Sequence, residues 1–186
     1  MGPNPRSPMH PLSRRRFAAA LAGAVPLSTL PRWALAANPT PRALRFEHLH
    51  TGERLSVEYF SGGAYLPDAL AAVNHLLRDF RTEDVGEIDP QLLDLLYRLT
   101  SLTETHRPFE IISGYRSPAT NAMLRQRSSG VASGSLHLKG QAIDIRLGDI
   151  QLAALRKAAL ALEAGGVGYY PASNFVHVDT GRVRTW

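Results

Sequence analysis

A chain of 186 residues has room for one ordinary domain and a short appendage. Its 44% hydrophobic and 20% charged content argues for a packed core, and the absence of cysteine excludes disulfides, thiol nucleophiles and Cys-ligated zinc or iron–sulfur centres. The formal charge of +5 resides in residues 1–36, which carry Arg6, Arg14, Arg15, Arg16 and Arg32 and no acidic residue, so the remainder is neutral and offers no electrostatic footprint for nucleic acid.

Ser13-Arg14-Arg15-Arg16-Phe17 precedes an apolar run over 18–30 and the small-residue sequence Ala34-Leu35-Ala36, which is the layout of a secretory signal. Paired arginines before Phe17 resemble the twin-arginine type, which exports folded proteins. The alternative is a membrane anchor; the run falls short of the about 20 apolar residues that span a bilayer and is broken by Pro26. The expectation is therefore a leader over 1–36, transient contact with the twin-arginine export machinery, release into the periplasm, and no stable membrane insertion after cleavage.

Residues 37–44 read as a Pro-containing linker and 45–186 as the functional domain. Strands are expected at 45–49 and 55–60 around the turn signal His50-Thr51-Gly52-Glu53. A helix is expected over 67–80, with Leu70, Val73, Leu76, Leu77 and Phe80 forming one apolar stripe. Asp89 as N-cap and Pro90 at the first helical position start a second helix, reaching residue 102. A strand over 109–112 runs into Ser113-Gly114-Tyr115-Arg116, and Ser117-Pro118 opens a helix to about residue 127. Residues 128–134 are flexible by composition; a strand over 141–146, a helix over 150–163 and strands at 167–170, 174–179 and 182–185 complete the chain. Helices and hairpin strands without regular alternation predict an α+β domain, a small antiparallel sheet flanked by helices with a cleft on the sheet.

Side chains alternate along a strand, so Ala142, Asp144 and Arg146 share one face while Ile143 and Ile145 point to the core. The same rule puts His177 and Asp179 on one face and Val176 and Val178 on the other. If these strands are near neighbours, His137, Asp144 and His177 converge. Two imidazoles and a carboxylate suit a catalytic zinc ion (Zn2+), which takes three protein ligands and keeps a fourth position for water. Spacing by itself leaves this reading open beside ordinary histidines hydrogen-bonded at a sheet edge.

The spaced motifs Ser113-Gly114-Tyr115-Arg116-Ser117, Ser135-x-His137-x-x-Gly140-x-Ala142-x-Asp144, Gly166-Val167-Gly168-Tyr169-Tyr170 and Phe175-Val176-His177-Val178-Asp179 resemble the M15 family of zinc D-Ala-D-Ala carboxypeptidases and murein endopeptidases. With the leader, His50-Thr51-Gly52-Glu53 and Gly181-Arg182-Val183-Arg184-Thr185-Trp186, the chain is similar to the exported DUF882, or murein endopeptidase K, subgroup. The resemblance implies His137, Asp144 and His177 as zinc ligands and Arg116 as the cation of the cleft, for a substrate carboxylate or an oxyanion; a loop-holding salt bridge is its structural alternative. Ser135 either supports His137 by a hydrogen bond or caps a turn. Many relatives place Glu, Asp or His two or three residues before the last ligand, where this chain has Phe175 and Asn174. Asp179 is the local candidate for the base, and equally a group that orients a ligand or pairs with Arg182 or Arg184. Tyr115 and Tyr170 are candidates for the substrate groove, whereas Tyr169 and Phe175 are expected to pack in the core.

The expectation is a zinc endopeptidase that hydrolyses stem-peptide cross-links in peptidoglycan. D-Ala-D-Ala carboxypeptidase activity is the enzymatic alternative. A non-catalytic peptidoglycan-binding module with a structural metal is the alternative from another class, prompted by the missing base.

Overall fold

The computed structural model describes residues 40–128 and 130–186; the expected leader lies outside them. Alternating apolar and polar residues make β1 (Arg42–His48) and β2 (Arg54–Ser61) an antiparallel hairpin, with Leu44, Phe46 and His48 buried on one face. β1 starts three residues earlier than expected. Leu44 already belongs to its buried face, and Arg42 Nη1 reaches Asp94 Oδ1 at 2.6 Å. A two-residue strand, β3 (Ala64–Tyr65), too short to carry a sequence period, folds back on β2.

α1 (Pro67–Leu76) ends four residues before the predicted limit. Of the expected stripe, Val73, Leu76 and Leu77 are buried and Leu70 packs against the core, whereas Phe80 falls beyond the helix and stacks on His50; the Leu77 carbonyl leaves the helix ladder to accept from Tyr115 N at 2.8 Å. Asp79, also buried, accepts from the backbone N–H groups of Arg81 and Ser117. These bonds cost the helix its last turn and tie its end to the Ser113–Ser117 loop. α2 (Pro90–Thr103) begins as expected, with the Asp89 side chain accepting from Gln91 N at 2.9 Å. β4 (Phe109–Ser113), α3 (Pro118–Arg127), β5 (Ala142–Leu147), α4 (Leu152–Ala161), β6 (Gly166–Tyr170), β7 (Phe175–Asp179) and β8 (Arg184–Thr185) follow.

The domain is α+β, and its sheet is larger than expected, with eight strands in the order β3-β2-β1-β4-β5-β7-β6-β8. Nor is it wholly antiparallel: β1 and β4 run parallel because α1 and α2 intervene between them, and β8 runs parallel to β6 because the chain leaving β7 passes β6 to reach the far edge. Leu92, Leu93, Leu96 and Leu99 of α2 and Leu155 of α4 are buried with Phe109 and Ile111 of β4, Ile143 and Ile145 of β5, and Val176 and Val178 of β7 in one core. Alternation therefore sends Asp144, His177 and Asp179 to the other side of the sheet. Among the described residues no helix is long and apolar enough to cross a membrane.

Candidate metal centre

β5 and β7 are adjacent and antiparallel, and their register sets Asp144 directly opposite His177. His137 arrives from a 3-10 turn, Leu136–Lys139, immediately before β5. Gly140 closes that turn at φ 64°, and a Cβ on it would collide with the Glu87 carbonyl, so only glycine lets the turn dock against the segment before α2. Asp89 N donates to Gly140 O at 3.0 Å and completes the attachment.

His137 Nδ1 lies 2.7 Å from Gly114 O, and a carbonyl only accepts, so Nδ1 carries the proton and Nε2 offers its lone pair. His177 Nε2 lies 2.9 Å from Asp179 Oδ2, which likewise fixes that proton and leaves Nδ1 free. The two free nitrogens are 3.2 Å apart, and Asp144 Oδ1 is 2.9 Å from His177 Nδ1 and 3.3 Å from His137 Nε2. One donor atom from each residue falls within 4.8 Å of the others, and all three side chains are buried. Two lone pairs and a carboxylate turned toward one point require a cation, so this donor set fits a metal ion. Burial disfavours charge on His177, but hydrogen bonds to Asp144 and Asp179 outweigh it and push the imidazole up to about 8. Burial likewise opposes the Asp144 carboxylate, and His137 and His177 overcome it, holding Asp144 well below the ordinary carboxylate range.

Asp179 is completely buried, and besides His177 it accepts from Gly166 N at 3.0 Å, Gly181 N at 2.9 Å and both terminal nitrogens of Arg184 at 2.9 and 2.7 Å. With its acceptor positions taken and its side chain fully buried, this carboxylate sits behind His177 on the side away from Asp144, with Arg184 behind it in turn. Ser135 lines the cleft; its side chain makes no cap hydrogen bond on the turn, and its carbonyl accepts from Leu138 N.

The three donors open into a cleft of about 700 Å³. Arg116 enters it nearly buried, with Nη2 4.0 Å from Asp144 Oδ2, Nη1 making a long bond of 3.5 Å to Asn121 Oδ1, and Nε without a hydrogen-bond partner among the described residues. Burial pulls its pKa down from the ordinary value against the pull of Asp144, but a guanidinium stays charged. This is a cation short of anions. Tyr170 lines the cleft and stacks on Phe175 at 4.5 Å; Phe175, expected in the core, also lines it. Tyr115 does not line this cleft: its ring packs beneath Gly86 and against the core, while the backbone bonds of Tyr115 to Leu77 and Arg116 to His137 turn Arg116 toward Asp144. His50, His75 and His106 do not line the cleft.

Three groups around the site were given no role in the sequence reading: the Gly114 carbonyl, Asn121 and Trp186. Asn121 carried one weak signal, a poor helix former inside a helix.

A family model described as peptidoglycan L,D-endopeptidase MepK matches residues 36–186. Curated proteins similar to the chain include the peptidoglycan L,D-endopeptidases MepK of Escherichia coli (strain K12) and of Shigella flexneri, each 52% identical over 164 residues, covering 88% of this chain and 90% of the relative. The probable peptidoglycan L,D-endopeptidase MepK of Haemophilus influenzae is 46% identical over 166 residues, covering 88% and 89%.

Proposed function

This chain belongs to the M15 peptidase family whose model is described as peptidoglycan L,D-endopeptidase MepK, and from that premise we propose that it is a zinc-dependent endopeptidase hydrolysing stem-peptide cross-links in peptidoglycan. The observation that carries the proposal is the convergence of His137 Nε2, Asp144 Oδ1 and His177 Nδ1, each with its far side committed or buried, beside an unsatisfied arginine in an open cleft.

His137, Asp144 and His177 would hold the ion. A zinc ion so held supplies an acidified water and Lewis-acid polarisation of a carbonyl at neutral pH. Gly114 O and Asp179 fix the imidazole tautomers, so neither ring must reorient to present its lone pair. Arg116 binds the negative charge that develops on the amide oxygen or a carboxylate of the stem peptide, at little reorganisation cost because the fold already points it there. Among the described residues no fourth His, Asp or Glu joins the trio. That supports the catalytic reading over a structural metal, whose ligand set is normally closed.

Residues 1–36 are assigned in this proposal as a twin-arginine leader, which would deliver the domain to the periplasm, where peptidoglycan is its partner. The test of the activity is digestion of purified peptidoglycan with zinc-loaded protein, chelated protein and the His177→Ala variant, followed by chromatography and mass analysis. Cross-linked dimers consumed only by the loaded wild type, with masses identifying an L,D bond, are the expected result. Intact dimers that co-sediment with the protein would replace the enzyme by a binding module.

A further inference from the structure

Trp186 is anchored more firmly than a half-exposed aromatic residue requires. Its backbone N–H donates to Val167 O at 3.3 Å, its carbonyl accepts from Tyr169 N at 3.1 Å, and its indole Nε1–H donates to the Tyr170 hydroxyl at 2.7 Å. The ring lies close on Gly168, where a Cβ would sit 2.8 Å from Trp186 Cε2. Arg184, held in place by Asp179, adds its guanidinium 4.8 Å from the ring centroid. Despite these five attachments 47% of the residue is exposed, and it lines the cleft with its ring centroid 5.2 Å from that of His177. A rigid aromatic surface left open beside the reacting centre loses no freedom when a ligand covers it, so its burial adds directly to binding.

From this we infer that Trp186 is a specificity-determining residue: its indole seats the aliphatic side chain of the stem-peptide residue that flanks the scissile amide. The inference rests on the endopeptidase reading and deepens it. Position decides what the indole meets. An extended peptide advances about 3.4 Å per residue, so a surface in contact with His177 is within reach of a residue adjoining the cleaved bond, whereas sugars at the far end of the stem lie several residues away. Charge decides the division of labour: Arg116 takes the substrate's anionic group, and the indole with the Tyr170 ring takes its methylene groups, which cost free energy to leave in water.

The test uses the zinc-loaded full chain and cross-linked stem-peptide dimers prepared with and without their sugars. Trp186→Ala is expected to raise KM for both dimers about tenfold, with a smaller change in kcat and unchanged zinc affinity by chelator competition, and Trp186→Phe is expected to restore most of the loss. Because Trp33 and Trp186 are the chain's two tryptophans, a Trp33→Phe background gives an independent readout, a change in indole emission when dimer is added. Unchanged KM and emission overturn the inference while leaving wild-type cleavage, and with it the endopeptidase reading, intact. An effect confined to sugar-bearing dimers, or a parallel fall in zinc affinity, overturns it too, the first by assigning the indole to glycan and the second by making it a prop for His177. Failure of the wild type to cleave either dimer would instead remove the endopeptidase reading itself.

Discussion

Asp144 on β5 and His177 on β7 are register partners across two antiparallel strands, and their Oδ1 and Nδ1 atoms stand 2.9 Å apart. A β-sheet pair is among the stiffest ways to hold two side chains together, so two of the three proposed zinc ligands need no loop to position them. The third, His137, depends on a turn. Its imidazole and Arg116 therefore have separable roles. His137→Ala is expected to abolish zinc binding and activity together, measured by metal content after dialysis and by dimer digestion. Arg116→Ala is expected to retain zinc and lose about 100- to 1,000-fold in kcat/KM. Full activity in both variants would remove the proposed mechanism.

Behind His177 stands a second prediction. Asp179 and Arg184 hold the His177 Nε2 proton from the side away from the metal position. Asp179→Asn substitutes an amide that no longer matches the bidentate guanidinium and supports the imidazole less well. Zinc affinity should fall roughly 10- to 100-fold, read by competition with a chromophoric chelator. Arg184→Gln should shift it in the same direction by less, because Gly166 N and Gly181 N still orient the carboxylate. An unchanged affinity in Asp179→Asn would mean that the pair serves the β7–β8 connection alone.

Much of this site was readable from residue alternation, and the reason is local. Asp144 and His177 each sit in a strand whose neighbours, Ile143 and Ile145 or Val176 and Val178, have only one apolar face to enter, which leaves the polar residue one direction. α2 was readable for a similar reason, with Asp89 and Pro90 marking its start and a leucine stripe its length. Where the reading stopped, distant partners decided. Leu77 ends α1 because Tyr115 claims its carbonyl, and Tyr115 turns from the cleft because Gly86 leaves room for its ring. Asp179 could be placed on the face of His177, but pattern alone did not separate its candidate roles, since its contacts with Arg184, Gly166 and Gly181 come from other segments. The parallel β1–β4 pairing was hidden because no strand pattern records which neighbour a long crossover selects.

The turn that carries His137 yields a third prediction. Gly140→Ala places a Cβ against the Glu87 carbonyl in a left-handed backbone conformation, both of which oppose the native turn. A loss of more than about 1 kcal/mol of unfolding free energy is expected, measured by urea denaturation. Zinc affinity should fall in the same variant because the Asp89 N to Gly140 O bond and the His137 turn move together. Gly62→Ala is the control: its φ of 59° is also left-handed, but nothing lies within 4 Å of the added Cβ. It should lose less stability and keep its zinc affinity.

Outside the candidate metal centre, Asp94 joins the hairpin to α2. It accepts from Arg42 Nη1 at 2.6 Å and from the hydroxyls of Tyr59 and Tyr65, each at 2.8 Å. Burial alone would raise its pKa; the hydrogen bonds of Arg42, Tyr65 and Tyr59 outweigh burial and lower it. A carboxyl with a depressed folded-state pKa contributes stability above its unfolded value, about 3.9, and loses it as pH falls through the folded value. Asp94→Asn should therefore cost about 1 to 3 kcal/mol at neutral pH, by urea denaturation of variant and wild type. The gap should stay constant down to the unfolded carboxylate range and narrow below it, as the wild-type carboxyl takes up the proton that the amide mimics. A gap that persists undiminished in acid would assign the loss to the tyrosine hydroxyls rather than to the charge on Asp94.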